Sequence, residues 1–198
     1  MKRPDLGAVA MALGFFLVFY AAYAGAAVLS DDLPHRYRLF FAWEPSIPLW
    51  PWTVLVYTSL NWMLIPLLLT FPTSRQLWPV VLTLSFELGV ALCIFFLIPL
   101  EDGFNDPPLV GPMATALAWA KTAALRHNYF PSLHVTLAFT AASTVASRSS
   151  TSQSAGLYVW ASLIALSTLT THSHHLIDVV GGILLAWLGY HLVFRRRV

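Results

Sequence analysis

A histidine and an aspartate near the end of this 198-residue chain have the spacing of a reactive pair. His174 lies four residues before Asp178, a spacing that places two side chains on one face of a helix. A carboxylate that binds one imidazole nitrogen fixes the tautomer of the ring and raises the basicity of the other nitrogen. The pair therefore predicts a nucleophile or a general base at His174.

A second histidine, His134, lies at the start of an earlier apolar segment. Pro131 ends the segment before it, and Ser132 occupies the N-cap position of the helix that we expect to follow. The free N–H groups at such a helix start, together with the positive end of its dipole, favour an anion. His134 would lie within reach of an anion bound there.

The composition indicates where these residues are held. Hydrophobic residues make up 58% of the chain and charged residues only 10%, whereas soluble domains have roughly 45–50% apolar and 25% charged residues. These values exclude an ordinary water-soluble domain and a disordered tail, and no basic, aromatic pattern indicates nucleic acid as a partner. The single cysteine, Cys93, cannot form a disulfide within the chain.

The distribution of apolar segments predicts an all-α fold: a polytopic membrane protein with six transmembrane helices in one bundle, so that residues 1–198 form a single domain. The fourth and fifth segments are short and rich in Ser, Thr and Ala, which favours a place inside the bundle rather than against lipid. The six segments are Gly7 to Leu29, Trp50 to Phe71, Trp78 to Leu100, Leu133 to Ser147, Leu157 to Thr171 and Leu176 to Phe194.

The positions of lysine and arginine predict the orientation, because cytoplasmic loops carry an excess of both. The connecting segments form two alternating sets, one of which is richer in Lys and Arg. This richer set includes both ends of the chain, so both termini are expected in the cytoplasm. The histidine segments then face the exterior, which in a bacterial inner membrane is the periplasm. The richer set holds Lys2, Arg3, Arg75, Arg148 and Arg195 to Arg197, and the poorer set holds Arg36, Arg38, Lys121 and Arg126.

The two histidine segments resemble known motifs. Pro131-Ser132-Leu133-His134, followed later by His174-x-x-x-Asp178, resembles the second and third signature motifs of the type 2 phosphatidic acid phosphatase and vanadium haloperoxidase superfamily. The sequence Phe-Pro-Ser-Leu-His, together with a His-rich third motif that leads into Asp-Val-Val-Gly-Gly, is most similar to the branch that contains inositol phosphorylceramide synthases and related bacterial lipid phosphatases. The resemblance implies that His174 attacks phosphorus, Asp178 orients His174, and His134 protonates the leaving oxygen.

The resemblance implies a metal-independent membrane lipid phosphatase without a cofactor, which hydrolyses a phosphomonoester or pyrophosphate of the phosphatidate, phosphatidylglycerophosphate or polyprenyl type. The chain departs from the family at two points. The first motif, a Lys followed by Arg-Pro, has no counterpart in residues 99–108, and Thr168 replaces an Arg that often opens the third motif. Phosphate binding would then fall to Lys121, Arg126 and the helix start at Ser132.

Other functions remain open at this point. A phosphotransferase would use the same three residues and pass the head group to a second lipid alcohol. A membrane transporter or a lipid scaffold without catalysis would need none of them. A metal site is a further alternative, because His134, His172, His174 and His175 could supply imidazole ligands to a transition metal.

Two features concern the packing of the helices. Glu87 lies near the middle of the third apolar segment, where an acidic residue costs roughly 2.5–3.5 kcal/mol. It is therefore either a functional group, bonded to a polar partner such as Asn61, or a protonated structural residue. Gly181 and Gly182 predict the close approach of a neighbouring helix.

Overall fold

The computed structural model describes residues 3–31, 33, 35–106, 108, 110–123 and 129–198. Within these ranges the chain is helical and forms no strand; one isolated parallel bridge joins Tyr37 to Leu100. The α-helices are α1 (Leu6–Asp31), α2 (Val54–Thr58), α3 (Leu60–Met63), α4 (Ile65–Thr70), α5 (Ser74–Leu97), α6 (Pro112–Ala123), α7 (Leu133–Ala146), α8 (Thr151–Thr170) and α9 (Leu176–Gly189). Short 3₁₀ helices at Glu44–Ser46 and Pro51–Thr53 and a π-helical turn at Tyr190–Phe194 complete them.

Four helical segments are long and apolar enough to cross a membrane. Their outer faces carry large apolar side chains that have no protein neighbour, such as Leu17, which is 75% exposed. Such surfaces favour lipid over water as their surroundings. The fold therefore fits an integral membrane protein. The four segments are Leu6–Ser30, Pro51–Thr70, Ser74–Leu97 and Leu176–Phe194.

All six predicted apolar segments are helical, but the fourth and fifth differ from the other four. The fourth corresponds to α7, which has only 14 residues. The fifth corresponds to α8, which has 20 residues but is not among the four segments, because its first turn is polar. Neither helix combines the length and the hydropathy of a typical span.

The second segment is a succession of short helices rather than one continuous helix. The breaks lie at Ser59 and Leu64, between α2 and α3 and between α3 and α4. Thr58 and Ser59 bond back to carbonyl groups of the preceding turn, and Pro66 cannot donate a backbone hydrogen bond. The broken path turns the carbonyl of Tyr57 toward α7, where it contributes to the candidate site.

Helix α7 forms the centre of the bundle, and this confirms the prediction for the fourth segment. It packs against α3, α4, α5, α8 and α9, and its side chains are small enough to permit that. The prediction is wrong for much of the fifth segment, because Leu163 and Leu166 of α8 are exposed on the outer surface. The buried small residues of α7 are Thr136, Ala138, Thr140, Ala141, Ala142 and Thr144.

The long connection before α7 contains a helix that the sequence analysis did not predict. This helix, α6, begins at Pro112, a residue favoured in a first turn, and follows Gly111, whose φ is 111°. With 12 residues, α6 is too short to cross a membrane. It packs against α2 and the 3₁₀ turn at Pro51–Thr53, on the side of the bundle where the histidines lie.

The close approach predicted at the paired glycines is confirmed. A Cβ atom at Gly182 would lie 2.6 Å from the carbonyl oxygen of Ser132, so only glycine permits this contact between α9 and the start of α7. At Gly181 a Cβ atom would collide with the ring of Phe130. These contacts bring the two histidine motifs together.

Glu87 is fully buried between α5, α7 and α9. Its partner is Thr140 of α7, whose hydroxyl donates a 2.7 Å hydrogen bond to Glu87 Oε1, and the predicted bond to Asn61 is wrong. Gly189 of α9 lies directly against the carboxyl group, where no side chain would fit. Asn61 instead lines the large cavity described below.

Candidate active site

The two histidine motifs are joined through their backbones. The N–H of Ser132 donates a 3.0 Å hydrogen bond to the carbonyl oxygen of Asp178, and Thr136 Oγ1 donates to the carbonyl of Gly182 at 3.2 Å. Both bonds cross from the start of α7 to the first turns of α9. Residues that lie far apart in the sequence are therefore held at one end of the bundle.

His134 lies in the first turn of α7, with its ring stacked on that of Tyr57. The two ring centroids are 3.9 Å apart and the planes differ by 9°. His134 Nε2 lies 3.1 Å from the backbone oxygen of Tyr57. Because a carbonyl oxygen can only accept, Nε2 of His134 carries a hydrogen. Stacking and hydrogen bond together fix the orientation of this ring.

His174 and Asp178 are brought together, although not by the geometry that their spacing predicts. His174 lies in the turn before α9 instead of on the helix, and Asp178 reaches back toward it from the first turn. His174 Nδ1 is 3.4 Å from Asp178 Oδ2. This contact is longer than an aligned hydrogen bond. Catalytic hydrogen bonds are often long without substrate and shorten when it binds.

The structure leaves polar atoms of this pair without partners. Among the described residues, His174 Nδ1 and Asp178 Oδ1 are buried and accept or donate no hydrogen bond. Leaving a buried polar group unpaired costs about 1–3 kcal/mol. Asp178 Oδ2 does have a partner, since it accepts the backbone N–H of His175 at 2.8 Å. Asp178 is thus anchored through Oδ2, whereas Asp178 Oδ1 and His174 Nδ1 have no hydrogen-bond partner.

His175, next in the chain, is held by a buried glutamate. Its Nε2 accepts the backbone N–H of Gly103 at 3.2 Å, so the ring hydrogen is on Nδ1, which lies 3.1 Å from Glu44 Oε2. The same Glu44 oxygen accepts the N–H of Leu176 at 2.8 Å, and Oε1 accepts the N–H of Phe41. Glu44 therefore joins the segment at Phe41 to the first residue of α9.

His172 is held in the same way on the other side of His174. Its Nε2 lies 2.8 Å from the carbonyl oxygen of Ile47, and its Nδ1 lies 2.7 Å from Asp106 Oδ1. The second oxygen of Asp106 forms an ion pair with Lys121 of α6. With φ of 53°, His172 also adopts a backbone conformation that is uncommon for a residue with a side chain. These contacts maintain the sharp turn that presents His174.

A column of stacked groups runs through this turn. Phe104 lies between the rings of His172 and His175, with centroid distances of 4.2 and 4.3 Å. Phe40 covers the other face of His175 at 4.4 Å, and the Arg38 guanidinium lies 4.6 Å from the Phe40 centroid. The column packs both flanking histidines into place, so that of the three turn histidines His174 alone lines the large cavity.

That cavity has a volume of about 460 Å³ and is mostly apolar. His134 and His174 lie at one end of it, and α1 and the α2–α4 segment form its walls. Val9 and Tyr23 of α1 both line it and are about 21 Å apart along the helix at 1.5 Å per residue. The two histidines therefore lie at the end of a long apolar channel.

The three residues predicted to bind substrate lie in different surroundings. Ser132 is fully buried as the N-cap of α7, where its Oγ accepts the N–H of Val135 at 3.3 Å. Lys121 contacts Asp106 and does not line the cavity, although its neighbour Ala120 does. Arg126 lies outside the described residues.

The histidines do not assemble as the metal alternative requires. The described part of the chain contains no group of three or more His, Cys, Asp or Glu side chains that could hold a metal ion. The nitrogens of His172 and His175 contact Asp106, Glu44 and backbone groups. This arrangement does not favour His172, His174 and His175 as ligands of one ion.

The sequence analysis did not identify Glu44, Asp106 or Phe104 as parts of the site. Each lies in a connection between the long helices and contacts a histidine that is more than sixty residues away in the chain. The available signal is that six of the nine acidic residues fall within residues 31–44 and 101–106. This clustering indicates a polar end, but it cannot assign a particular carboxylate to a particular imidazole.

Comparisons with family models, with curated proteins and with solved structures give no match for this chain. The functional assignment therefore rests on the motifs and on the geometry of the site.

Proposed function

We propose that the chain is an integral-membrane lipid phosphatase that uses His174 as its nucleophile. In this proposal all six predicted segments cross or enter the membrane, both termini are cytoplasmic, and the histidines face the exterior, the periplasm in a bacterial cell. The observation that carries the proposal is the position of His134 and His174 at one end of a long apolar cavity. A lipid phosphate has the matching form, with a reactive phosphate at the end of an apolar chain.

The reaction would proceed in two steps. The negative charge of the bound phosphate favours uptake of a second proton by His134. His174 Nε2 then attacks phosphorus, the bond from phosphorus to the lipid oxygen breaks, and His134 gives one proton to the leaving alkoxide. Neutral His134 then takes a proton from water, which attacks phosphohistidine and releases phosphate from His174. Asp178 stabilises the positive charge that develops on the His174 ring. Every proton and bond is accounted for without a metal ion.

The helix start beside His134 supports phosphate binding at this point. The first N–H groups of an α-helix have no partners within the helix, and their dipole favours an anion. Ser132 supports this start as its N-cap, which orders the first turn of α7. The three family bases missing from the sequence would be replaced in part by these backbone groups and by Arg126.

Phosphate release from a panel of lipid phosphates tests the proposal directly. Purified protein in lipid nanodiscs is given phosphatidate, phosphatidylglycerophosphate and a polyprenyl pyrophosphate, with His174→Ala protein as the blank. We expect metal-free release in excess chelator and inhibition by vanadate, because vanadate adopts the five-coordinate geometry of phosphoryl transfer. A phosphoenzyme stable to alkali should be trapped, and it should be absent from the blank.

The other outcomes assign the alternatives. Head-group exchange between lipids without phosphate release would identify a phosphotransferase. Activity that chelator removes and one divalent metal restores would contradict the mechanism and favour metal ligation. No turnover of any lipid phosphate, with folded protein, would favour a transporter or scaffold.

The orientation can be tested independently of activity. Cys93 is the single cysteine and is exposed, so it is first replaced by serine. Asn105→Cys, in the outer loop beside Asp106, should then react with a membrane-impermeant reagent in intact cells, whereas a reporter fused after Val198 should be cytoplasmic. Labelling of Asn105→Cys only after the cells are opened would contradict the proposed orientation.

A further inference from the structure

Three arginines from separate parts of the chain meet at the opposite end of the bundle. Arg75 lies in the first turn of α5, Arg148 follows α7, and Arg197 follows the π-helical turn after α9. Together they line one pocket of about 390 Å³, with Thr73, Gln76 and Val198 among its other walls. The tertiary structure thus concentrates three positive charges at one place.

None of the three arginines has an ion-pair partner in the described part of the chain: no carboxylate there lies in contact with Arg75, Arg148 or Arg197. The Arg148 guanidinium lies over the Phe71 ring at 4.3 Å and donates one hydrogen bond to the carbonyl of Thr70. These contacts orient the guanidinium without neutralising it, so it remains able to bind an anion.

We propose that this pocket binds the phosphate of an anionic phospholipid head group. Guanidinium groups bind phosphate oxygens in pairs, and three of them around one pocket match a doubly or singly charged phosphate. Basic pockets between membrane helices on the cytoplasmic side are the usual sites for such head groups. The site is separate from the histidines and does not depend on the proposed phosphatase activity.

The position of the pocket favours a lipid over a dissolved anion. Two candidate membrane spans end at it, since Ser74–Leu97 begins and Leu176–Phe194 finishes there. Trp78, one turn into α5, is half exposed, as expected for an aromatic residue at the boundary between lipid and water. A phospholipid of the surrounding bilayer would therefore present its phosphate at the height of the three arginines.

The test compares two neighbouring arginines of the same terminal segment. Protein is placed in nanodiscs of phosphatidylcholine with increasing fractions of phosphatidylglycerol, and lipid retained on the protein is measured by native mass spectrometry. Arg197→Gln and Arg75→Gln should each weaken phosphatidylglycerol retention about fivefold. Arg196→Gln removes the same charge from the same segment but not from the pocket, so it should leave retention near the wild-type value.

Two results would overturn the proposal. Equal losses in Arg196→Gln and Arg197→Gln would mean that only the general positive charge of this surface attracts the lipid. Inorganic phosphate is the second probe. If it displaces phosphatidylglycerol from the protein in the mixed nanodiscs at low millimolar concentration, and in pure phosphatidylcholine nanodiscs raises the melting temperature of wild type but not of Arg197→Gln, the ligand is dissolved phosphate instead. All these variants change exposed residues, and their melting temperatures in phosphatidylcholine check that they fold.

Discussion

The charged side chains at the two ends of the bundle differ in burial and in pairing. At the histidine end, Glu44 and Asp178 are fully buried, and Glu44 has several partners from distant parts of the chain. At the arginine end, Arg75 and Arg197 are exposed and lack a carboxylate partner among the described residues. A buried charge is tolerated only when it is paired, whereas an exposed charge needs no partner.

The comparison indicates what each end can do. The paired, buried groups around His174, such as Glu44 with His175, hold one geometry, which is what a chemical step at His134 and His174 requires. Unpaired, exposed groups adapt to a ligand and contribute mainly through charge. Substitutions at the histidine end should therefore affect rate and stability strongly, and substitutions at the arginine end should have small effects.

The largest effect is expected from His174→Ala. Phosphate release should fall more than about a thousandfold, because no nucleophile remains, while the melting temperature changes little. His175→Ala should instead lower the melting temperature, because both of its nitrogens and both of its ring faces contact the protein. His191→Ala, on the arginine side, should change neither. Wild-type turnover in His174→Ala would show that the nucleophile is wrongly assigned.

Asp178→Asn should reduce kcat about 10- to 100-fold. The expected loss is smaller than the roughly 10⁴-fold of a triad with an intact hydrogen bond, because the His174–Asp178 contact is 3.4 Å long and poorly aligned. Steady-state rates with the best substrate of the panel would measure it. A loss as large as that of His174→Ala would mean that this hydrogen bond is fully formed in the working enzyme.

Glu44→Gln should lower the reaction rate only indirectly, because Glu44 positions groups beside the site and does not contact substrate. The amide can accept fewer of the N–H groups that the carboxylate accepts, so we expect about 1–3 kcal/mol lower stability and a lower kcat with KM nearly unchanged. Glu44→Asp, which retains the charge, should restore part of the rate. Glu101→Gln is the matched control, since Glu101 is exposed. A raised KM with unchanged kcat would indicate substrate contact instead.

A double-mutant cycle can separate two roles of Lys121. If Lys121 serves to hold Asp106, then Lys121→Met should lower the free energy of unfolding by only about 0.2–1 kcal/mol, because the pair is partly exposed. The same substitution should have no effect once Asp106→Asn is present. If Lys121 binds substrate phosphate, KM should rise in both backgrounds. Asp106→Asn should cost more than Lys121→Met, because it also removes the partner of buried His172.

A similarly small effect is expected at the arginine end from Arg148→Lys. Lysine keeps the charge but loses the planar group that lies over Phe71, a contact worth about 0.5–1 kcal/mol at an exposed site. Thermal unfolding in nanodiscs should show a slightly lower midpoint, with phosphate release unchanged. A loss of activity comparable to that of Glu44→Gln would contradict the distinction between the two ends.

Much of the fold could be predicted because hydrophobicity is a local property. The apolar runs correctly predicted six helical segments, and Gly181 and Gly182 correctly predicted a close contact, which α9 makes with the start of α7. The break of the second segment at Ser59 and the helix beginning at Pro112 were missed. Both depend on short polar and proline signals that compete with a strong apolar pattern. The exposed face of α8 was also missed, because a Ser- and Ala-rich composition does not specify which neighbours a helix has.

The sequence by itself determined the apolar segments, the N-cap at Ser132 and the proximity of His174 to Asp178, because each depends on residues that are neighbours in the chain. Only the tertiary structure decided which histidine lines the cavity. His172 and His175 differ from His174 through Asp106, Glu44 and Phe104, which arrive from distant loops. The convergence of Arg75, Arg148 and Arg197 is decided in the same way, because three helix ends meet there and no local pattern encodes which ends meet.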